Sequence, residues 1–141
     1  MKSISQLLAH KPAVVTVGPQ DSVRHALEVM AKHNIGAVPV VEGTRLVGIF
    51  SERDYARKVV LKGLASTSTP VQAIMTAQVQ CAGLQDSVMG LMDLMTQQHF
   101  RHMPVLDQDR LLGILSMGDL VKAVIEDQHQ QIQHLQDYIR A

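Results

Sequence analysis

The chain writes one pattern twice, sixty-five residues apart. GIFSERD at 48–54 returns as GILSMGD at 113–119. Gln20-Asp21-Ser22-Val23 returns as Gln85-Asp86-Ser87-Val88, Pro39-Val40 as Pro104-Val105, and Arg45-Leu46 as Arg110-Leu111, all without a gap. Asp and Pro are uncommon inside strands, so agreement at one fixed offset marks an internal duplication. A unit of this size buries too little of its surface to be stable alone. The two halves are therefore expected to share one fold, and every feature of one half has a test in the other.

Each copy follows the same order. Asp21 or Asp86 stands where a helix cap is needed. Val23, Ala26, Leu27 and Met30 then mark one buried helical face, as do Val88, Leu91, Met92 and Met95. AVPVV (37–41) and LVGIF (46–50) flank the turn EGTR, and HMPVL (102–106) and LLGIL (111–115) flank DQDR, which predicts two hairpins. The proline points to an edge strand or a strand start. Second helices begin at Ser51 and Ser116, the first ending near Gly63 as a left-handed cap. Short helices are expected at 4–9 and 71–75, with extra strands around 14–17 and 79–82. The halves divide as 8–63, a linker at 64–70, 71–125, and a helical extension at 126–141. Along the last helix, which runs on into that extension, Val121, Ile125, Gln128, Ile132, Leu135 and Ile139 keep a 4-3-4-3-4 spacing, a heptad seam that predicts a partner helix and a homodimer.

The Ser-x-x-Asp at each second helix admits two readings. It can be a capping box, with the serine accepting from a helix N–H and the aspartate reaching back. A box favours the longer Glu or Gln at its fourth position, however, and both copies use Asp. The same geometry suits a nucleotide. A helix N-terminus attracts phosphate, the hydroxyls of Ser51 and Ser116 can donate to it, and Asp54 and Asp119 can accept from two ribose hydroxyls. Arg53, Arg57 and Lys58 supply countercharge to the first copy. The second has Gly118 in place of Arg53 and carries Arg101 and His102 where its hairpin begins, so the two basic sets could converge on one groove.

In this order and spacing the residues resemble the cystathionine β-synthase (CBS) domain, and the two copies a tandem CBS pair, or Bateman module. The resemblance spans about 8–125 and is sharpest to stand-alone single-module proteins. It implies an α/β fold of two helix–strand–strand–helix halves related by a pseudo-twofold axis, with two clefts between them. It also implies an adenine nucleotide as ligand (AMP, ADP, ATP, NAD(H) or S-adenosylmethionine) and a dimeric assembly. Carried over by position, Asp54 and Asp119 would take ribose. Ser51, Arg53, Arg57, Arg101, His102 and Ser116 would lie near phosphate. Val14, Thr16, Ile35, Ala37, Val79 and Phe100 would line the adenine slot.

Other classes find little support. Net charge is zero with histidine neutral, against a general nucleic-acid binder. No apolar run reaches the length of a membrane span, and MKSISQLLAHKP is too short and polar for a secretory signal. One cysteine, Cys81, expected as a small buried residue, leaves a reducing, cytoplasmic setting. Aromatics are only 3%, so the core must be aliphatic, with Met30, Met92 and Met95 filling gaps. The histidines lack the spacing of a metal site, and neither a P-loop, a dinucleotide fingerprint nor a nucleophile elbow occurs. The expected protein is a non-catalytic, metal-free nucleotide sensor acting on a partner protein. The alternative is a structural dimerisation module in which the Ser-x-x-Asp pairs only cap helices.

Overall fold

The computed structural model describes residues 1–140. Each half keeps the predicted helix–strand–strand–helix order, although the helix expected at 71–75 is reduced to one 3₁₀ turn. Helix α1 (Ile4–Ala9) leads in, then α2 (Val23–His33), strands β1 (Ala37–Glu42) and β2 (Arg45–Ser51), and the short α3 (Glu52–Asp54). A wide-turn helical segment, Tyr55–Val60, continues α3. The second half runs through a single 3₁₀ turn (Val71–Ala73), α4 (Val88–Gln98), β3 (His102–Asp107), β4 (Arg110–Ser116) and the long α5 (Met117–Arg140). Strands β1 and β2 form one antiparallel pair, β3 and β4 another. Their registers match: Pro39 faces Ile49 as Pro104 faces Ile114, with an irregularity after Val40 and after Val105.

Local chemistry sets the element ends. The caps of α2 and α4 are Ser22 and Ser87, whose hydroxyls accept from the N–H groups of His25 at 3.1 Å and Gly90 at 3.0 Å. This corrects the expectation for Asp21 and Asp86. Each of those carboxylates reaches back to a glycine N–H, Gly18 or Gly83, at 2.7 Å, and so tightens the preceding turn. Asn34 and His99 close the two helices in left-handed conformation, with φ of 52° and 59°. Gly63, at φ 67°, turns the chain after the wide-turn segment.

The extra strands expected near 14–17 and 79–82 shrink to single parallel bridges, Val17 to Val40 and Ala82 to Val105. Proline limits them. Val17 N–H donates to Pro39 O and Val41 N–H to Val17 O. The next rung would need the N–H that Pro39 lacks, and Pro104 imposes the same stop on the second copy. Ala82 takes the inward position at its bridge, so Cys81 points outward and is exposed. That corrects its assignment as a buried residue.

The core is two clusters, and each borrows from the other half. Val71 and Ile74, which lead into the second copy, are buried with Val23, Met30, Val38 and Phe50 of the first. Ile4, which leads into the first copy, is fully buried with Met95, Met103, Leu115 and Leu120 of the second, and Leu7 and Leu8 pack against it. The exchange explains the glycine in each L-x-Gly-Ile run. A Cβ on Gly48 would collide with the Met75 side chain and come within 3.0 Å of the Thr76 carbonyl, and one on Gly113 would lie 2.8 Å from Leu8 Cδ2. Each glycine admits the exchanged segment of the opposite half. Met30 and Met95 are buried and Met92 is half-buried. Among the described residues no helix is long and apolar enough to cross a membrane.

Candidate functional site

Both Ser-x-x-Asp motifs fold as capping boxes. Ser51 N–H donates to Asp54 Oδ2 at 3.0 Å, and Asp54 N–H donates to Ser51 Oγ at 3.2 Å. In the second copy the matching distances are 2.8 and 3.1 Å. The short aspartate arm therefore reaches far enough to close both boxes.

Beyond the box the two carboxylates meet different surroundings. Asp54 is buried, with its Oδ1 3.0 Å from Lys58 Nζ and 3.4 Å from Thr76 Oγ1. Lys58 comes from the same helical segment and also donates to the Ile74 carbonyl. Asp119 is half-buried and meets Lys11 Nζ at 2.6 Å, while Lys11 also donates to the Ile114 carbonyl at 2.7 Å. Lys11 and Thr76 occupy the same place in their repeats. In the first copy the Thr76 backbone pairs with Ile49 and its hydroxyl faces Asp54; in the second the Lys11 side chain alone contacts both counterparts. Partial burial pushes the Asp119 carboxyl up, but hydrogen bonds from Lys11 and Ser116 and the Lys11 charge outweigh it and hold it below its ordinary 3.8.

A cleft of about 950 Å³ opens between the halves beside Asp54. Ser51, Arg53, Asp54 and Arg57 line it from the first copy, and Val79, Phe100, Arg101 and His102 from the second. Arg53 and Arg57 thus meet Arg101 and His102 in one groove, whereas Lys58 is tied to Asp54 and does not line it. Arg53 crosses it to donate to the carbonyl of His99. None of the ion pairs among the described residues involves Arg53, Arg57 or Arg101. Burial, then the Lys11 charge and, more weakly, Arg101, hold the His102 imidazole below its ordinary 6.5; Asp119 and Glu52 pull the other way.

The other candidate residues lie elsewhere. Ser116 lines a second groove of about 900 Å³ along α5, with Arg101, His102, Lys122 and His129. Val14 and Ile35 are half-buried, Ala37 is buried and Thr16 is exposed, and none of the four lines the Asp54 cleft. Val14, Ile35 and Ala37, the repeat counterparts of Val79, Phe100 and His102, do not line the second groove either. The cleft also uses Thr76, Gln78, Gln80 and His99, which the sequence reading missed. Thr76 was detectable, because the repeat aligns it with Lys11. Among the described residues no group of three or more His, Cys, Asp or Glu could hold a metal ion.

Comparison with known proteins agrees with this architecture. The family model described as the CBS domain matches residues 4–61 and again 71–126. The chain is 38% identical over 125 residues to the CBS domain-containing protein CBSX3, mitochondrial, of Arabidopsis thaliana, covering 85% of this chain and 61% of that protein. It thus spans somewhat under two thirds of that relative's length. A solved structure of a CBS-domain protein from Burkholderia ambifaria MC40-6 is 46% identical and superposes with a TM-score of 0.86, covering 90% of this chain and 96% of the other. The CBS domain pair of protein MJ0100, solved in complex with 5-methylthioadenosine and S-adenosyl-L-methionine, is 26% identical with a TM-score of 0.79, covering 90% and 98%. Two family matches in tandem, on two copies of one helix–strand–strand–helix unit with an exchanged lead-in, make this chain a member of the CBS-domain family, built as a CBS pair.

Proposed function

We propose that this chain is a regulatory module that binds an adenine nucleotide in the Asp54 cleft and passes the binding event to a partner protein. One observation carries the reading: three arginines without carboxylate partners among the described residues line one interhalf cleft together with Asp54 and apolar side chains that include Val79 and Phe100. Asp54 would accept from the ribose, the guanidiniums would hold phosphate, and Phe100 and Val79 would face the base. The adenosine compounds held by the MJ0100 pair support this ligand class. The ligand would touch both halves, so it can favour one arrangement over another only by binding it better. A coupling of about 1–3 kcal/mol is ordinary for such a switch. The role needs no catalytic step. Assembly as a homodimer through the exposed seam of α5, in the cytoplasm, belongs to the same reading.

A second reading is favoured by the capping boxes, which are complete without a ligand. Here the motifs only stop helices, and the chain is a dimerisation module. Thermal unfolding with AMP, ADP, ATP, NAD, NADH and S-adenosylmethionine separates the two. A ligand at about 100 times its Kd adds roughly 2.7 kcal/mol, a clear rise in Tm. No rise with any of the six leaves the dimerisation module.

A further inference from the structure

Each motif aspartate has a lysine against it, and the two lysines arrive from different directions. In the first copy the partner is Lys58, four residues further along the same helical segment. It does not line the cleft, so Asp54 is neutralised from behind and still lines the cavity. At the place of Lys58 the second copy has Ala123, which is buried and carries no charge. Its lysine is Lys11, from the segment that follows α1. Lys11 is the repeat counterpart of Thr76, and Thr76 lines the Asp54 cleft. Lys11 therefore stands where the wall of the matching cleft would be. The threonine hydroxyl ends 3.4 Å from Asp54 Oδ1. The longer lysine chain brings its Nζ to 2.6 Å from Asp119 Oδ2 and 2.7 Å from the carbonyl of Ile114, so two of the three ammonium donors are engaged there. Lys11 and Asp119 keep 30% and 29% of their side chains exposed, and a partly covered pair is screened less by salt than an open one. Asp119 lines neither groove, although its capping box closes as that of Asp54 does.

We propose that Lys11 is an internal blocker: its side chain occupies the ligand position at Asp119 and limits this chain to one nucleotide, at Asp54. The inference rests on the nucleotide reading above and adds the residue that sets the number of sites. Lys11→Thr installs the residue that the first copy uses, and it should open the second site. The opened site is expected to be the weaker one, since Gly36 and Gly118 stand at the places of Arg101 and Arg53.

The test is calorimetric titration of the full chain with AMP, together with amide shift mapping at residues 114–119, for the wild type, Lys11→Thr and Lys11→Thr combined with Asp119→Asn. The wild type should bind one AMP per chain. Lys11→Thr should bind two, the second about tenfold or more weakly, because charge-assisted contacts to phosphate are missing there. Adding Asp119→Asn should return the count to one. Strong shifts at 114–119 should accompany the second site. Lys11→Gln, whose amide can still donate to the Ile114 carbonyl, carries the same expectation should the threonine variant fold poorly. Two sites in the wild type, or one unchanged site in both Lys11→Thr and Lys11→Gln, would overturn the inference and keep the nucleotide reading. AMP bound only after Lys11 is replaced would keep the blocker and overturn the Asp54 site. No binding by any of these chains would overturn both.

Discussion

The two halves of this chain share a backbone and divide the chemistry. Around the first motif stand Arg53, Arg57 and Thr76; at the same places in the second stand Gly118, Lys122 and Lys11. Arg101, in the second half, falls where the first has Gly36, and it reaches back to the first cleft. Duplication thus kept the capping boxes and the register of both hairpins, while the cations beside the two motifs changed in kind and place. What the fold requires is symmetric, and what a ligand would require is not. The helices after the motifs diverge as well. The first ends at Val60, whereas α5 runs to Arg140 with Ile132, Leu135 and Ile139 exposed.

The largest effect should come from that last difference. Truncation after Glu126 removes Ile132, Leu135 and Ile139, and burial of each such side chain is worth about 1.5–3 kcal/mol. Sedimentation should show a dimer for the full chain and much weaker association for the truncated one. A full chain that is monomeric at micromolar concentration would leave the seam without a partner helix.

Next comes the contrast between the aspartates. Asp54→Asn should weaken nucleotide binding by about 1–3 kcal/mol, the range for hydrogen bonds to a charged group. Asp119→Asn, at a residue that pairs with Lys11 and does not line the Asp54 cleft, should leave the affinity for the first cleft unchanged. Titration of both variants decides; equal losses would mean that the clefts are equivalent.

The glycines sharpen the same comparison at the level of stability. Gly48→Ala drives a methyl group against Met75 and the backbone carbonyl of Thr76, an overpacking cost of about 1–3 kcal/mol. Gly113→Ala meets only the tip of Leu8, and should cost less than about 1 kcal/mol once that side chain turns aside. Denaturant unfolding of the two variants should rank them in that order.

The smallest effect is a proton. His102 lies below its ordinary 6.5 in the free protein, mainly through burial, with Lys11 and Arg101 opposing its charge and Asp119 and Glu52 favouring it. A folded value below the unfolded one means that its contribution to stability is whole above 6.5 and lost as pH falls through the lowered value. A phosphate nearby should raise that value, so binding takes up a proton and affinity for NAD, whose diphosphate does not titrate there, should climb as pH falls toward and below 6.5. His102→Gln should flatten the profile; identical profiles would remove His102 from the site. Asp119, held below 3.8, adds stability above that pH and loses it in stronger acid, as the carboxylate bound to Lys11 is protonated.

Much of this was legible in the sequence, for particular reasons. The repeat fixes the element order, because hairpins and amphipathic helices carry local periodicities that any 65-residue copy repeats. The convergence of Arg53 and Arg101 could be anticipated because their asymmetry stands out against the shared pattern. The helix caps were misassigned by one residue, since adjacent Asp21 and Ser22 are both good caps and only the turn at Gly18 decides between them. The exchange of Ile4 and Val71 between cores was not legible, because no local rule says which of two similar cores a short apolar segment will enter. The pairing of Lys11 with Asp119 across the halves was missed for the same reason: it depends on where the exchanged segment lies.

The central claim is that one cleft, the one at Asp54, is the nucleotide site. Amide chemical-shift mapping of the isotopically labelled full chain, titrated with ATP and separately with AMP, tests it most directly. The account predicts saturable shifts at residues 51–57, 76–80 and 99–102 at the lowest ligand concentrations, with 11–16 and 117–119 responding weakly and later. Equal shifts in both sets at the same concentration, or shifts confined to 11–16 and 117–119, would contradict it.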